Sequence, residues 1–298
     1  MIVITGGTGF VGEEIVKQAR AAGFPVRMIV RELPPGQWLA DRYGVELFHG
    51  NVLFAPSLEG AMQGANCVIH LVGIIHEQHE STFERAHAQA TKFVVDETKR
   101  AGVKRYLHMS ALGTRENARS RYHQTKWAAE EYVRKSGLAW TIFRPSVIYG
   151  PKDRSVNTLM KVIRRLPFVP VLGPGTTKIQ PISVENVAKA FVAAIRNDNS
   201  IGKTYDLCGP EAFPWNELYD RLQQLLGSHK PKLHLPLPIA RLQAAFFEKI
   251  LPQPPFTRDQ LLMLQEDNVG NPEPATREFT LAHKKFEEGV APYLKNGA

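Results

Sequence analysis

The chain has few cysteines and no long apolar run. Its 298 residues include only two cysteines, Cys67 and Cys208, without C-x-x-C spacing. This excludes a disulfide scaffold and predicts buried thiols in a reducing compartment. The longest apolar run, residues 67–75, is interrupted by His70 and falls far short of the ~18 residues that a membrane span needs. Because an apolar strand begins at residue 2, we expect no signal or transit peptide, no transmembrane segment and a cytoplasmic location.

The sequence also lacks a cluster of basic residues. The net charge is +8 and the pI about 9.4, but the basic residues are scattered. A phosphate-rich cofactor explains part of this excess, so we expect no nucleic-acid partner. The segment HEQHE at residues 76–80 does not fit H-E-x-x-H, because residue 80 is glutamate. A solvated loop or a wall of a substrate pocket is favoured there, and no metal site is predicted.

A glycine-rich turn follows the first apolar strand. Residues 2–4 are Ile-Val-Ile, which is typical of a buried strand. Gly7, Gly9 and Gly12 satisfy G-x-G-x-x-G, and Gly6, Gly9 and Gly12 satisfy G-x-x-G-x-x-G. A pyrophosphate must lie against backbone N–H groups at a helix N-terminus, where any Cβ would hold it away. The turn therefore predicts a dinucleotide-binding unit.

Strands and helices alternate through the first half of the chain. This pattern predicts an α/β fold with a doubly wound parallel sheet of the Rossmann type in residues 1–150. Proline and glycine become dense after it, which predicts a smaller mixed α/β substrate or partner domain in residues 151–298, although strands such as residues 204–207 could return to the main sheet. The predicted strands are residues 2–4, 26–30, 45–48, 67–71, 105–109 and 140–143. The predicted helices are residues 13–22, 38–43, 58–62, 82–101, 122–136 and 184–195.

The end of the second strand bears on the choice of cofactor. The adenosine ribose should lie at this junction, where an arginine pairs with the 2′-phosphate of NADP and an acidic residue accepts from the 2′-hydroxyl of NAD. Arg31 comes first and favours NADP(H), while Glu32 next to it leaves NAD(H) as the alternative. After the third strand, Asn51 and Val52 lie in a turn that could reach the adenine.

A Y-x-x-x-K motif begins the helix that follows the fifth strand. Tyr122 and Lys126 are four residues apart, so they share one helix face. A nearby ammonium and an oxidised nicotinamide favour the phenolate and lower the tyrosine pKa, which would let Tyr122 exchange the proton that accompanies hydride transfer. Ser110, at the end of the fifth strand, would polarise the reacting carbonyl. The motif is short enough to occur by chance, and its position after that strand is what favours a site.

These residues also carry a family resemblance. The segments TGGTGFVG, HMSALG, YHQTK and FRPSVIYGP resemble the extended or atypical branch of the short-chain dehydrogenase/reductase superfamily, which includes NAD(P)-dependent epimerases and dehydratases. QPISVENVAKA and GKTYDLCGP extend the resemblance into the second half. Within this branch, the short spacing from serine to tyrosine and the segment FTRDQLLMLQEDNV look closest to the group of the NADPH-binding accessory subunit of respiratory complex I.

The resemblance implies a role for individual residues. Ser110, Tyr122 and Lys126 would form the catalytic set. Two departures weaken parts of this assignment: Asn51 stands where many relatives have aspartate, and the short segment between Ser110 and Tyr122 disfavours nucleotide-sugar substrates. The cofactor contacts would come from Gly6, Thr8, Gly9, Phe10, Val11, Gly12, Arg31, Asn51, Val52, Leu71, Val72, Gly73, Lys126 and Pro145.

Two functions fit these residues. The favoured one is an NADP(H)-dependent oxidoreductase or epimerase, with Tyr122 as acid/base and a small-molecule substrate such as a quinone or another carbonyl compound. The alternative is a catalytically silent NADP(H)-holding sensor or assembly factor of a membrane redox complex, peripheral to a membrane or bound to a protein partner. Residues 238–251 predict a helix, and we favour its packing on its own domain. A docking stripe is the alternative, formed by Ile239, Leu242, Ala245, Phe246, Phe247 and Ile250.

Overall fold

The computed structural model describes residues 1–78 and 81–294. Its strands are β1 (Ile2–Thr5), β2 (Val26–Val30), β3 (Glu46–His49), β4 (Cys67–His70), β5 (Arg105–Met109), β6 (Ala139–Pro145), β7 (Ile148–Tyr149), β8 (Val169–Leu172), β9 (Lys178–Ile179), β10 (Ile182–Ser183), β11 (Lys203–Leu207), β12 (Phe213–Pro214) and β13 (Lys232–Leu235). Its α-helices are α1 (Phe10–Ala21), α2 (Leu33–Tyr43), α3 (Ala90–Arg100), α4 (Arg121–Arg134), α5 (Val156–Arg165), α6 (Val184–Ala194), α7 (Trp215–Leu225), α8 (Leu237–Ile250), α9 (Arg258–Met263), α10 (Glu273–Phe279) and α11 (Phe286–Leu294).

The main sheet confirms the predicted fold class. In the described part of the chain it has seven strands in the order β11-β6-β5-β4-β1-β2-β3, and every neighbouring pair is parallel. From β1 the chain winds outward to β2 and β3, and it then returns to β4 on the other side. The switch point therefore lies between β1 and β4, where the loops after the two strands diverge and leave a crevice for a ligand.

Both faces of the sheet are covered at its centre, where every residue of β1 and β4 is buried. Ile2 and Ile4 pack with α1 and α6 on one face, and Val3 packs with α3 on the other. This alternation follows from the two-residue period of a strand. Cys67 and Cys208 are buried free thiols, as predicted.

Two predicted helices differ clearly from the structure for local reasons, and α1 also begins at Phe10 rather than at residue 13. The helix predicted at residues 58–62 is wrong: a 3₁₀ turn, Ala55–Leu58, is followed by irregular turns. Gly60 there has a left-handed φ of +78°, which an α-helix does not accommodate. Helix α2 begins at Leu33 rather than at residue 38, because prolines are well tolerated in the first turn of a helix.

The second half of the chain contributes to the main sheet and also has its own core. Strand β11 pairs with β6 at the sheet edge, and α6 packs against α1. A separate apolar cluster joins α5, α7 and α11. Small strand pairs lie beside it: β8 with β13, β9 with β12, and β7 with β10. The division at residue 150 stays a prediction.

Candidate functional site

The glycine turn between β1 and α1 requires glycine for steric reasons. Gly6 has a φ of +75°. A Cβ on Gly12 would lie 2.2 Å from the carbonyl oxygen of Gly6 and 2.6 Å from the Cα of Gly7. Gly9, the N-cap of α1, has no side chain with which to occupy the first N–H groups of the helix, so the turn is shaped to receive a phosphate group. The other predicted residues surround it: Thr8 is exposed, Phe10 is half-buried as the first residue of α1, and Val11 is buried.

The loop after β4 lies directly against this turn. A Cβ on Gly6 would approach both Leu71 and Val72 to 3.3 Å, and the Leu71 N–H donates to the carbonyl of Thr5 at 3.1 Å. Farther along the loop, a Cβ on Gly73 would lie 2.8 Å from Nζ of Lys126. The predicted residues of this loop therefore connect the glycine turn to helix α4.

Arg31 and Glu32 form an ion pair with each other at the end of β2. Nη2 of Arg31 lies 3.1 Å from Oε1 of Glu32, and both side chains are 65% exposed. Arg31, which favours NADP, is therefore paired with Glu32, which favours NAD. Glu32 would therefore compete with a 2′-phosphate for Arg31, and the role of Arg31 stays a prediction.

Asn51 and Val52 lie in the turn after β3 and are half-buried. The side-chain oxygen of Asn51 accepts the N–H of Leu53 at 3.0 Å, and the Asn51 N–H donates to Oγ of Ser57 at 2.9 Å. Asn51 therefore stabilises the turn itself. An adenine contact from this turn stays a prediction.

Ser110 and Pro145 lie at the carboxyl ends of neighbouring strands. Ser110 follows β5 and is only 3% exposed, and its N–H donates to the carbonyl of Phe143 at 2.7 Å. Its Oγ lies 3.4 Å from Oγ1 of Thr114. Pro145 ends β6, and its carbonyl accepts the N–H of Leu112 at 2.9 Å. The sheet hydrogen bonds thus fix the position of Ser110.

Helix α4 brings Tyr122 and Lys126 to the same edge of the sheet. Its N-cap is Ser120, whose side chain accepts the N–H of His123. Nζ of Lys126 donates to the carbonyl of Met109 at 3.1 Å, beside Ser110, and Lys126 is 2% exposed. The three predicted catalytic residues therefore converge where β4 and β5 end.

Burial shifts the pKa values of the tyrosine and the lysine in different directions. It raises the pKa of the Tyr122 hydroxyl to about 12 and lowers the pKa of the Lys126 ammonium to about 8. In the protein alone, the pKa of Tyr122 thus moves opposite to the expected lowering, because burial removes the phenolate from water. Tyr122 is protonated at neutral pH, which suits a proton donor.

Two residues at this site were not identified from the sequence. His87 lies in a π-helical turn, Glu84–Gln89, with its ring 5.2 Å from that of Tyr122. The carboxylate of Asp259 accepts the N–H groups of Arg121 and Tyr122 at 2.7 and 3.2 Å, and so occupies the N-terminus of α4. His87 belongs to no motif. Asp259 lies in the segment FTRDQLLMLQEDNV, where it was assigned no role, and it is 137 residues from Tyr122 along the chain.

Comparison with known proteins identifies the family. A family described as NAD(P)H-binding matches residues 6–198, which contain the glycine turn and the α4 residues. The chain belongs to this NAD(P)H-binding family. It is 34% identical over 280 residues to NADH dehydrogenase [ubiquinone] 1 alpha subcomplex subunit 9, mitochondrial, of Arabidopsis thaliana, covering 89% of this chain and 70% of that protein. It is 29% identical over 238 residues to ceramide reductase of Caulobacter vibrioides, covering 80% and 74%.

Solved structures agree on the fold of this NAD(P)H-binding protein. The NADPH-dependent quinone oxidoreductase QOR2 of Escherichia coli, complexed with NADPH, superposes with a TM-score of 0.79 over 99% of this chain and 100% of that chain, at 20% identity. UDP-glucose 4-epimerase of Thermotoga maritima gives 0.77 over 99% and 98%, at 18% identity. The resemblance to short-chain dehydrogenase/reductase proteins and to the complex I subunit group is confirmed.

The HEQHE segment of the NAD(P)H-binding protein is only partly described, because His79 and Glu80 lie outside the described residues. Glu77 accepts the N–H of Phe83 at 2.9 Å and pairs with Arg121 at 3.1 Å, and Gln78 donates to the carbonyl of Pro252 at 3.1 Å. In residues 1–78 and 81–294, no three metal-binding side chains cluster. The described part of the segment therefore contacts Arg121, the first residue of α4, which adjoins Tyr122.

Helix α8 presents its apolar stripe to the outside. Ala240 and Ala244 pack inward against Leu261, whereas Leu242 and Phe246 are 74% and 60% exposed. Ile239 and Ile250 are also exposed, and Ala245 and Phe247 are half-buried. The expectation that the helix packs on its own domain therefore holds for its alanine face and for Phe247, whose ring centroid lies 5.8 Å from that of Phe256. It is wrong for the exposed members of the stripe, which are Ile239, Leu242, Phe246 and Ile250. None of the helices in the described ranges has the length and apolar character needed to cross a bilayer.

Buried histidines predict strong acid sensitivity for the NAD(P)H-binding fold. Burial lowers the pKa of His70 to about 3, of His87 to about 2 and of His123 to about 4, and it holds the pKa of His108 well below 6.5. The unfolded chain binds protons near pH 6.5 while the folded chain does not, so stability falls as pH drops below 6.5, by as much as roughly 5 kcal/mol per pH unit for four groups.

We therefore expect urea unfolding to show a large loss of stability between pH 6.5 and pH 5. The exposed His229 gives a matched comparison. His70→Gln should reduce the pH dependence of the free energy of unfolding by about a quarter, since one of four groups is removed. His229→Gln should leave this dependence as in the wild type. Equal stability of the wild type at pH 5 and pH 7 would contradict this assignment.

Proposed function

We propose that the chain is an NADP(H)-dependent oxidoreductase that reduces a carbonyl compound. The observation that carries this proposal is the convergence at one sheet edge of the glycine turn, the β4 loop and the set Ser110, Tyr122 and Lys126. Lys126 is the connecting residue, because its ammonium contacts the end of β5 and also approaches Gly73. The steric cradle formed by Gly6 and Gly12 fits a dinucleotide pyrophosphate.

The bound nicotinamide supplies a hydride in this proposal, and the protein supplies the proton. Tyr122 is protonated at neutral pH and donates from its hydroxyl to the developing alkoxide. Lys126, whose lowered pKa reflects its burial, offsets the negative charge left on the phenol and holds the nicotinamide ribose. Ser110, fixed by β5, polarises the carbonyl. Epimerase activity would use Ser110, Tyr122 and Lys126 both for the oxidation and for the reduction of the substrate.

The substrate class we propose is an apolar carbonyl compound or a quinone. Ceramide reductase, the 29% identical relative, is named for a lipid substrate. Two exposed apolar residues lie beside the HEQHE segment: Ile75 precedes it, and Leu251 adjoins Pro252, whose carbonyl accepts from Gln78. The short segment between Ser110 and Tyr122 disfavours nucleotide sugars, which suits a smaller or apolar substrate.

NADPH oxidation measured against quinones, aldehydes, long-chain ketones and sugar nucleotides tests this function. We expect turnover with at least one quinone or apolar carbonyl compound and none with sugar nucleotides. NADPH binding without turnover across the panel would oppose the enzyme and favour the second candidate.

Arg31 should set the preference for NADPH. Because its guanidinium would exchange Glu32 for the 2′-phosphate, Arg31→Ala should raise the Kd for NADPH about tenfold and change the Kd for NADH less than twofold. Fluorescence titration of both nucleotides measures this, with the exposed Arg277, in α10, changed to alanine as control. Tighter binding of NADH than NADPH by the wild type would contradict the proposal.

The second candidate is an NADP(H)-holding accessory factor of a membrane redox complex. The exposed stripe of α8 favours it, together with the 34% identity to the complex I subunit of Arabidopsis thaliana. On this proposal the protein is cytoplasmic and peripheral to a membrane. Leu242→Glu together with Phe246→Glu would then abolish association with its partner and leave NADPH affinity unchanged.

A further inference from the structure

His87 lies between the β4 loop and helix α4 and contacts both. It is fully buried. Its Nδ1 is 2.9 Å from Oγ1 of Thr125, and its Nε2 is 3.1 Å from the backbone nitrogen and 3.0 Å from the carbonyl oxygen of Ile74. The two ring nitrogens therefore face two different elements of the candidate site.

Either neutral tautomer of this ring joins the loop to α4. With Nδ1–H, the ring donates to Oγ1 of Thr125, whose hydroxyl donates to the carbonyl oxygen of Arg121 or Tyr122 at 3.0 Å, and Nε2 accepts the N–H of Ile74. With Nε2–H, the ring donates to the carbonyl oxygen of Ile74, and Nδ1 accepts from the hydroxyl of Thr125. Burial also lowers the pKa of His87 to about 2, so the ring is neutral.

The faces and edges of the ring make further contacts with the site. His87 stacks on Phe83 with 5.5 Å between ring centroids. It also packs edge to face against Tyr122, with 5.2 Å between ring centroids. A Cβ on Gly73 would lie 3.5 Å from Nε2 of His87 and 2.8 Å from Nζ of Lys126. One neutral imidazole thus contacts the loop backbone, the phenol ring and the helix that carries the lysine.

We propose that His87 is a positioning residue that holds the Gly73–Ile74 backbone in register with Tyr122 and Lys126 through its hydrogen bonds to Ile74 and Thr125. This rests on the proposed function, because the β4 loop must line the NADP(H) site. Thr125 extends the connection to the first turn of α4. The β4 loop and helix α4 then keep a fixed relative position at the nucleotide site.

Paired variants test this coupling. His87→Phe keeps a flat ring on Phe83 and removes both hydrogen bonds, and Thr125→Val removes the hydroxyl. The control is Thr98→Val, which removes another buried helical hydroxyl, one bonded only to the carbonyl of Val94 in the described structure. We expect Kd for NADPH to rise about tenfold in His87→Phe and severalfold in Thr125→Val. The double variant should be no weaker than His87→Phe.

Thr98→Val should lower Tm and leave Kd unchanged. Two results would overturn the proposal. Additive effects of the His87 and Thr125 substitutions on Kd would show that the two residues act independently. A lowered Tm with an unchanged Kd would indicate a purely structural role.

Nitrogen-15 NMR of wild-type His87 gives a readout that does not depend on NADPH or on a variant that must fold. We expect one protonated and one unprotonated ring nitrogen and no titration between pH 5 and pH 8. An imidazolium in that range would overturn the proposal. Failure of the wild type to bind NADPH would instead count against the proposed function, so the two failures are distinguishable.

Discussion

Replacement of Tyr122 by phenylalanine should lower kcat for carbonyl reduction by roughly 10²–10⁴-fold, the usual contribution of general acid catalysis. The phenol is the proton donor in our account, and its raised pKa keeps it protonated at neutral pH. Phenylalanine preserves the ring contacts with Phe83 and His87, so the site should keep its shape. The Kd for NADPH should therefore change less than about twofold, since the hydroxyl acts on the substrate.

Tyr132 supplies the matched control for this experiment. It lies on the same helix α4, and its hydroxyl donates to Asp96 at 2.5 Å, away from the sheet edge. Tyr132→Phe should leave kcat unchanged. Steady-state NADPH oxidation with a substrate from the panel measures both variants. Full activity of Tyr122→Phe would show that Tyr122 is not the proton donor.

Gly12→Ala should raise the Kd for NADPH roughly 100-fold, equivalent to nearly 3 kcal/mol. The new Cβ would lie 2.2 Å from the carbonyl oxygen of Gly6 and 2.6 Å from the Cα of Gly7, and backbone atoms cannot rotate away. The start of α1 must therefore shift from the turn, which moves its N–H groups off the pyrophosphate. Stability should fall too, because the same shift loosens α1 against β1.

Gly202→Ala separates the binding effect from general destabilisation. Gly202 has a φ of +72° with open space around its missing Cβ, and it lies in the turn before β11. Alanine there strains the backbone and lowers Tm, but Kd for NADPH should be as in the wild type. Fluorescence titration and thermal unfolding of both variants make the comparison. Wild-type affinity in Gly12→Ala would contradict the assignment of the turn.

The parts of the fold that the sequence predicts well are those specified by neighbouring residues. Strands β2 and β5 begin and end at the predicted residues, because apolar runs bounded by turn residues define them locally. The glycine turn is equally local, since its sterics depend on residues 6–12. The convergence of Ser110 with the Y-x-x-x-K helix followed from the topology, because parallel strands end at one edge.

Features that depend on distant contacts were not predictable in this way. The carboxylate of Asp259 reaches the start of α4 from the far end of the chain, and no spacing rule connects them. His87 has its role because a π-helical turn directs its ring between two elements. The raised pKa of Tyr122 depends on how deeply the ring is buried, which the motif does not encode. The exposure of the α8 stripe likewise depends on which face finds a packing partner.

The central claim is that the glycine turn and the Y-x-x-x-K helix form one NADP(H) site, and NADPH titration of Lys126→Met tests it most directly. Methionine fits the buried space and removes only the ammonium, which contacts Met109 and approaches Gly73. The exposed Lys135 at the end of α4, changed to methionine, is the control. We predict a rise in Kd of about 10–100-fold for Lys126→Met and none for Lys135→Met. Equal, wild-type affinity in both variants would contradict the claim.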